Sequence, residues 1–183
     1  MIKKIKLLKE KIQKIHFFLI FGGYKRGKYL KKKKMLAEIG ENVMFQSRNF
    51  PMDPKLVKIH NNVVIAANVY FVTHDAIRHV LKNKNNKYYQ SNIGPIEIMD
   101  NVFIGLGTII MPNVKIGKNV IVAAGSVVTK SIPDNCVYAG VPAKKIGEFK
   151  DLEKKREKLS LEYKYLSYEE MIKIKWKEFN KQN

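Results

Sequence analysis

The sequence predicts an all-β core, built as a solenoid of short parallel strands, with α-helical segments at both ends of the chain. Two observations predict the core. Apolar residues recur every six positions, and a second inward residue follows each of them four positions later. A third observation predicts the ends, because residues 1–35 and 150–183 are rich in charge, suit helices and lack the repeat. We therefore assign the solenoid to residues 36–149.

The period of six is strict between residues 98 and 132. Its first inward position is held by Ile98, Ile104, Ile110, Ile116, Val122 and Val128. Its second is held by Val102, Thr108, Val114, Val120, Ser126 and Ile132. An earlier block keeps the pattern at Ile59, Ile65 and Phe71, with a weaker trace at Ile39 and Phe45. A helix repeats every 3.6 residues and a strand every two, so this period indicates a strand, a tight turn and another strand. Three such units close one coil, and stacked coils bury the aliphatic column. The turns need residues that tolerate positive φ, and the candidates are Gly105, Asn113, Gly117, Asn119 and Gly125.

The repeat is interrupted by a loop at residues 72–95, which begins Val72-Thr73-His74-Asp75. An insertion has to leave the stack of coils, and a long loop of this kind is commonly functional. His74 stands at the end of a rigid coil and at the start of this loop. Taken alone, a histidine at such a place is more often a surface residue without a role. His79 lies further inside the loop, where a side chain would be held less firmly.

The residues around this interruption resemble those of hexapeptide-repeat acyltransferases, in particular the galactoside, maltose and streptogramin O-acetyltransferases. The resemblance covers residues 39–149. It rests on Ile65-Ala66-Ala67-Asn68-Val69, Thr73-His74-Asp75, Gly94-Pro95-Ile96-Glu97-Ile98, Gly125-Ser126-Val127-Val128-Thr129-Lys130 and Ala139-Gly140-Val141-Pro142-Ala143-Lys144. The chain departs from the family at Phe103, where Trp is common. The resemblance implies a left-handed parallel β-helix, a handedness that the period alone does not provide.

The resemblance also implies the chemistry, which is transfer of an acetyl group from acetyl-CoA to a hydroxyl of a sugar or another small acceptor. His74 is expected to be the general base, because a neutral imidazole can take the hydroxyl proton as attack proceeds. Asp75 is the candidate to orient the ring, although the family also uses a backbone carbonyl or a carboxylate from elsewhere. His79 is the rival base. The backbone N–H of Leu106 is expected to hold the oxyanion.

The resemblance also implies which residues bind the two substrates, acetyl-CoA and the acceptor. Gly105, Ala124, Thr129 and Lys130 are expected along the pantetheine arm of coenzyme A, with Lys144 and Lys145 at its phosphates. Asn68 and His79 are the candidates for contact with the acceptor, and Asn68 is equally a candidate turn residue. No metal site is expected, since the four histidines lack ligand spacing and Cys136 is the only cysteine. A single cysteine suits a cytoplasmic location.

Assembly as a homotrimer, with each site in the groove between two subunits, is a further implication of the resemblance. At the N-terminus, Ile5, Leu8, Ile12, Ile15 and Leu19 are spaced as one face of a basic amphipathic helix that ends at Gly22-Gly23. Such a helix indicates either peripheral contact of residues 1–23 with the inner membrane face, or packing on the β-helix or on a partner subunit.

Other functions remain open at this point. Transferases that N-acetylate amino sugars share the fold and its motifs, and so do the enzymes that acetylate streptogramin and chloramphenicol antibiotics. If the protein were a scaffold without activity, the position of His74 at the break in the repeat would have no functional meaning. The net charge of +19 comes mainly from 31 lysines and fits either an AT-rich genome or a polyanionic partner. No nucleic-acid motif accompanies it, so nucleic acid is not an expected partner.

Overall fold

A computed structural model of the chain describes residues 2–182. These residues form two compact units, which divide between Phe149 and Lys150. The first unit contains the strands and three helices. The second is a pair of helices, α4 (Phe149–Glu162) and α5 (Tyr168–Gln182). Within this pair, Tyr163 donates to Glu178 at 3.0 Å and Lys175 donates to Tyr163 at 2.6 Å, which joins one helix to the other.

The strands of the first unit form three sheets, which we name the first, second and third face. The first face holds β1 (Glu38–Ile39), β3 (Val57–Ile59), β6 (Ile96–Ile98) and β9 (Val114–Ile116). The second holds β2 (Met44–Phe45), β4 (Val63–Ile65), β7 (Val102–Ile104), β10 (Val120–Val122), β12 (Cys136–Ala139) and β13 (Lys144–Glu148). The third holds β5 (Tyr70–Phe71), β8 (Ile109–Ile110) and β11 (Val127–Val128).

From β3 to β11 the chain visits the three faces in strict rotation, and neighbouring strands on each face pair in parallel. Ile96 pairs with Val114, its counterpart 18 positions later and one full coil along. Three hexads therefore make one revolution, as the sequence predicts. The final pair, β12 and β13, is antiparallel.

The inward positions predicted by the repeat form the core. All twelve hexad positions between residues 98 and 132 are buried, and so are Ile59, Ile65 and Phe71. The prediction of the core is therefore confirmed. Outward residues alternate with them along each strand, as the exposure of Lys115 between Val114 and Ile116 illustrates.

The turns lie on three corners, which we name after characteristic residues. The asparagine corner (residues 60–62, 99–101 and 117–119) joins the first face to the second. Its asparagines adopt positive φ and form a ladder of side-chain hydrogen bonds of 2.8–2.9 Å, which runs Asn62, Asn101, Asn119, Asn135. The glycine corner (66–69, 105–108 and 123–126) joins the second face to the third. The histidine corner (72–74, 111–113 and 129–131) joins the third face to the first.

Two of the predicted turn glycines serve a different purpose from the one expected. Gly105 and Gly117 are outside the set of residues with positive φ, unlike Gly125 at 69°. Instead, a Cβ at Gly105 would lie 2.4 Å from the backbone nitrogen of Ala124, and one at Gly117 would lie 2.3 Å from Asp134. These glycines are therefore required by the close approach of neighbouring coils.

Two helices precede the coils, α1 (Ile2–Leu19) and α2 (Gly23–Lys32). Helix α1 ends three residues before the predicted break at Gly22-Gly23, where α2 begins, and this second helix was not predicted. Helix α1 contacts the core through Phe17, which is 1% exposed, and not through its predicted apolar stripe. The stripe (Ile5, Leu8, Ile12, Ile15 and Leu19) is 57–64% exposed, so α1 packs on the β-helix with a different face from the one that the apolar spacing indicates. No helix within residues 2–182 combines the length and apolar character needed to cross a membrane.

Candidate functional site

The histidine corner carries His74 at the end of β5. Just before it, the N–H of Val72 donates to the carbonyl of Ile110 in the next coil at 2.9 Å. The insertion is closed at its base by the Gly94 N–H, which donates to the Thr73 carbonyl at 2.9 Å, and by an antiparallel bridge between His74 and Ile93. The backbone of His74 is therefore fixed both by the coil and by the returning end of the insertion.

A carboxylate from the preceding coil faces the ring of His74. His74 Nδ1 lies 2.5 Å from Asp53 Oδ2, and the hydroxyl of Thr73 donates to the same oxygen at 2.9 Å. Because a carboxylate only accepts hydrogen bonds, the ring hydrogen belongs on Nδ1, and Nε2 is left as the basic nitrogen. Within the described residues, no side chain or backbone group pairs with Nε2.

The charge of Asp53 is maintained by these same contacts. Burial acts to raise the pKa of its carboxyl group. The hydrogen bonds from His74 and Thr73, together with the charges of His74 and Lys14, outweigh burial and hold this pKa below its usual value. Asp53 is therefore ionised at neutral pH and can stabilise an imidazolium beside it.

The predicted role of Asp75 in orienting the ring is corrected by this geometry. Its carboxylate accepts the backbone N–H of Ile77 at 3.0 Å, at the start of helix α3 (Ile77–Asn85), which occupies much of the predicted loop. The residue that faces the ring is Asp53. The family resemblance allowed for a carboxylate from elsewhere but did not identify it, because Asp53 lies in another coil, 21 residues from His74.

A cavity of about 180 Å³ opens beside His74, and its lining includes Asn49, Phe50, Met52, Tyr70 and Val72. Ligand pockets usually measure about 300–1,000 Å³, so this cavity is smaller than an ordinary ligand site. The two residues predicted to contact the acceptor, Asn68 and His79, do not line this cavity.

The positions of Asn68 and His79 follow from local structure. Asn68 has φ 56° on the glycine corner, at the place that Gly107 and Gly125 occupy in the following coils with φ 69°. Its role as a turn residue is therefore explained by the backbone. His79 lies on the exposed surface of α3. The predicted acceptor contacts of both residues stay predictions.

The glycine corner brings together Gly105, Leu106 and Ala124. The Leu106 carbonyl accepts the N–H of Gly125 at 2.8 Å, which joins two successive coils. The N–H of Leu106 has no acceptor within residues 2–182. Leu106 and Ala124 are both exposed. A free amide beside a row of small residues is suited to an oxyanion and to an extended arm, as the sequence predicts.

The remaining residues predicted for the coenzyme lie elsewhere. Thr129 and Lys130 are exposed on the histidine corner, and Lys144 and Lys145 begin β13. Lys145 forms an ion pair with Glu148 at 2.5 Å, and this hydrogen bond raises the pKa of Lys145. Lys144 makes no ion pair with any described residue and is free to meet an anion.

Two corners thus hold most of the predicted residues, whereas His79 lies on α3 and Lys144 and Lys145 lie on β13. His74, Thr129 and Lys130 share the histidine corner, whereas Leu106 and Ala124 share the glycine corner, and the third face separates the two. No three His, Cys, Asp or Glu side chains in the described part of the chain are grouped as a metal site would require.

Comparison with known proteins gives consistent similarities. A family model described as bacterial transferase hexapeptide (six repeats) matches residues 95–130. The galactoside O-acetyltransferase of Escherichia coli (strain K12) is 39% identical over an alignment of 143 residues, and the match covers 67% of this chain and 68% of that protein. Two solved structures are 29% identical to the chain. A maltose O-acetyltransferase from Clostridium difficile 630 has a TM-score of 0.58, over 75% of this chain and 83% of its own. A galactoside acetyltransferase in complex with coenzyme A has a TM-score of 0.59, and the match covers 80% of this chain and 82% of that chain.

Proposed function

The chain belongs to the family of bacterial hexapeptide-repeat transferases, and from that premise we propose that it moves the acetyl group of acetyl-CoA to a hydroxyl of a sugar or another small acceptor. The single observation that carries the proposal is the ring of His74, which Asp53 orients at 2.5 Å while Nε2 faces no described partner. The relatives whose names specify galactosides and maltose support a sugar as the acceptor.

In the proposed reaction, His74 Nε2 accepts the proton of the acceptor hydroxyl as its oxygen attacks the thioester carbonyl carbon. Asp53 stabilises the imidazolium that forms. The tetrahedral oxyanion accepts a hydrogen bond from the Leu106 N–H, and one preorganised amide of this kind contributes about 3 kcal/mol. Collapse breaks the carbon–sulfur bond, and the leaving thiolate takes the proton back from Nε2.

The glycine corner fits the pantetheine arm of the co-substrate. Gly105 lets two coils approach closely, and Ala124 leaves the surface beside them open. Thr129 and Lys130 would meet the arm from another subunit. Lys144 and Lys145 would face its phosphates, where Lys acts as a point charge.

This division of residues supports a homotrimer, in which the histidine corner of one subunit faces the glycine corner of the next. A groove between subunits would also enlarge the cavity beside His74 to the size of an ordinary ligand site. We propose that the coils wind left-handed, as in the family. A crystal structure of the assembled protein would test both the handedness and the groove.

We also propose peripheral contact of α1 with an anionic membrane surface. The exposed stripe of α1 is flanked by lysines, including Lys4 and Lys11 on one side and Lys9 on the other. Apolar residues bordered by basic ones are typical of helices that lie in the membrane interface. This contact would bring the enzyme to acceptors made at that surface.

The function is tested by an acceptor screen that follows release of free coenzyme A, with wild type and His74→Ala compared. The panel would contain galactosides, maltose, amino sugars, and streptogramin and chloramphenicol antibiotics. We expect turnover of a sugar hydroxyl, and a loss of at least about 10²-fold in kcat for His74→Ala.

The matched control is His16→Ala, which removes an exposed histidine of α1 and should keep normal turnover. If His74→Ala transfers the acetyl group as fast as wild type does, His74 is not the base. Loss of transfer in His79→Ala alone would identify the rival histidine instead. If an amino sugar or an antibiotic is acetylated faster than any sugar hydroxyl, that compound replaces the sugar as the proposed acceptor.

A further inference from the structure

The surface next to the cavity beside His74 takes part in the choice of acceptor. The cavity measures about 180 Å³, which is less than the about 300–1,000 Å³ of an ordinary ligand site. An acceptor that fills a site of ordinary size therefore also meets residues outside the lining. The charge of those residues influences which acceptors bind well.

Lys14 places a positive charge next to this lining. Its ammonium group lies 5.4 Å from the centre of the Phe50 ring, and Phe50 lines the cavity. Phe50 in turn makes an edge contact with Phe17, the buried residue of α1, which joins this helix to the cavity wall. Lys14 itself is exposed, so a ligand from solution can reach its ammonium group.

The charge of Lys14 acts at the reaction site but is not neutralised there. Burial acts to raise the pKa of the Asp53 carboxyl group, and the charge of Lys14 helps the hydrogen bonds from His74 and Thr73 to hold this pKa below its usual value. Asp53 Oδ2 is nevertheless bound to those two residues. Lys14 makes no ion pair with any residue in the part of the chain that the structure describes.

An unneutralised cation at this place opposes the proposed reaction. His74 becomes an imidazolium as it takes the hydroxyl proton, and a like charge nearby disfavours that step. A negative group on the bound acceptor would offset the charge of Lys14. Transfer would then be more efficient with an anionic acceptor than with a neutral one.

We propose that the acceptor is an acidic sugar, whose carboxylate or phosphate group binds the ammonium group of Lys14 while a hydroxyl of the same molecule faces His74 Nε2. This inference rests on the proposed function and narrows its acceptor class. Lys14 determines specificity here, because it binds a part of the acceptor that does not react. Its ammonium group suits either anion, since it acts as a compact point charge.

The test follows release of coenzyme A, without lipid, from wild type and Lys14→Gln. The acceptors are the methyl glycosides of galactose and glucose, their 1-phosphates and their uronic acids. We expect wild type to prefer a charged form by about 10-fold or more in kcat/KM, because hydrogen bonds between charged groups are the strong ones. This preference should shrink as ionic strength rises. A preference for the 1-phosphate alone identifies a phosphate, and one for the uronic acid alone identifies a carboxylate.

Lys14→Gln should lose this preference and keep or raise its kcat/KM for the neutral glycosides, with an unchanged KM for acetyl-CoA. Charge reversal in Lys14→Glu should make the neutral glycosides the better acceptors. The matched control is Lys25→Gln, which removes the same charge from an exposed lysine of α2 and should retain the wild-type preference. An equal loss with neutral and charged sugars in Lys14→Gln would indicate a structural role and overturn the inference.

The outcomes also separate this inference from the function on which it rests. If wild type transfers to a sugar and requires His74, but treats neutral and charged forms alike, the inference alone fails. It also fails alone if Lys14→Gln prefers the charged forms as wild type does. If wild type acetylates none of the sugars, the proposed acceptor class fails and the anionic subsite fails with it.

Discussion

At the level of single residues, the proposed chemistry depends on one oxygen atom, Asp53 Oδ2, which accepts from both His74 and Thr73. We predict that Asp53→Asn lowers kcat by about 10²–10⁴-fold, because an amide donor at Nδ1 favours the tautomer whose Nε2 is already protonated. The KM for acetyl-CoA should not change. Steady-state kinetics of the two proteins measure this difference, and an equal rise in KM with constant kcat would contradict the positioning role.

Two controls accompany Asp53→Asn. Thr73→Val removes the second hydrogen bond but keeps the carboxylate, so its loss in kcat should be much smaller. The pH dependence of stability supplies a second measure. The pKa of Asp53 is held below its usual value, so its carboxylate stabilises the fold above its unfolded pKa, and this contribution is lost as pH falls through the folded pKa. Wild type should therefore lose more stability than Asp53→Asn between about pH 5 and pH 3.

The sequence indicated the proposed base but not the carboxylate that faces it, for a physical reason. His74 stands at a break in the period, which makes it visible in one sequence. Asp53 meets it only because the coils stack, and a six-residue repeat does not encode which outward residues of two coils face each other.

At the level of elements, strands were predictable and helices less so. Each hexad fixes an inward residue, and burial of the twelve positions follows directly from the period. Helix α2 was missed because Gly22, Gly23 and Gly27 discourage a helix in the sequence. Gly27 is needed there, since a Cβ at this position would lie 2.1 Å from the carbonyl oxygen of Val43. Close packing therefore required a residue that helix propensity disfavours.

Helix α1 shows that periodicity predicts a stripe but not the direction in which it points. The single residue Phe17 packs on Phe45 and Phe50, which turns the stripe roughly to the opposite side of the helix. We predict that the triple change Leu8→Gln, Ile12→Gln and Ile15→Gln lowers binding to vesicles by at least about 10²-fold, because each buried apolar side chain contributes about 1.5–3 kcal/mol.

Flotation of the full chain with vesicles of phosphatidylcholine, with and without phosphatidylglycerol, measures this binding. The matched control is Ile146→Gln, which changes an exposed apolar residue of β13 and should bind as wild type does. Binding should require the anionic lipid and weaken with salt. A triple variant that floats normally, or that changes oligomeric state instead, would show that the stripe contacts protein and not lipid.

At the level of the whole molecule, the residues of the proposed reaction lie on two corners that one chain does not bring together. His74 and its carboxylate occupy the histidine corner, and the free amide of Leu106 occupies the glycine corner. In the proposed homotrimer, an interface between these unlike patches repeats around a closed ring, so each pair of neighbours would form one site. Activity should then depend on contacts between subunits.

Mixed assemblies test this arrangement directly. His74→Ala removes the base, and Ala124→Trp fills the open surface beside Leu106 with a large ring, so each variant alone should be inactive. In randomly mixed trimers, about a quarter of the interfaces join an intact histidine corner to an intact glycine corner, because each intact corner is present in half of the subunits. Coexpressed or co-refolded mixtures should therefore recover about a quarter of wild-type kcat. A site built within one chain would recover none, since every chain in the mixture carries one of the two lesions.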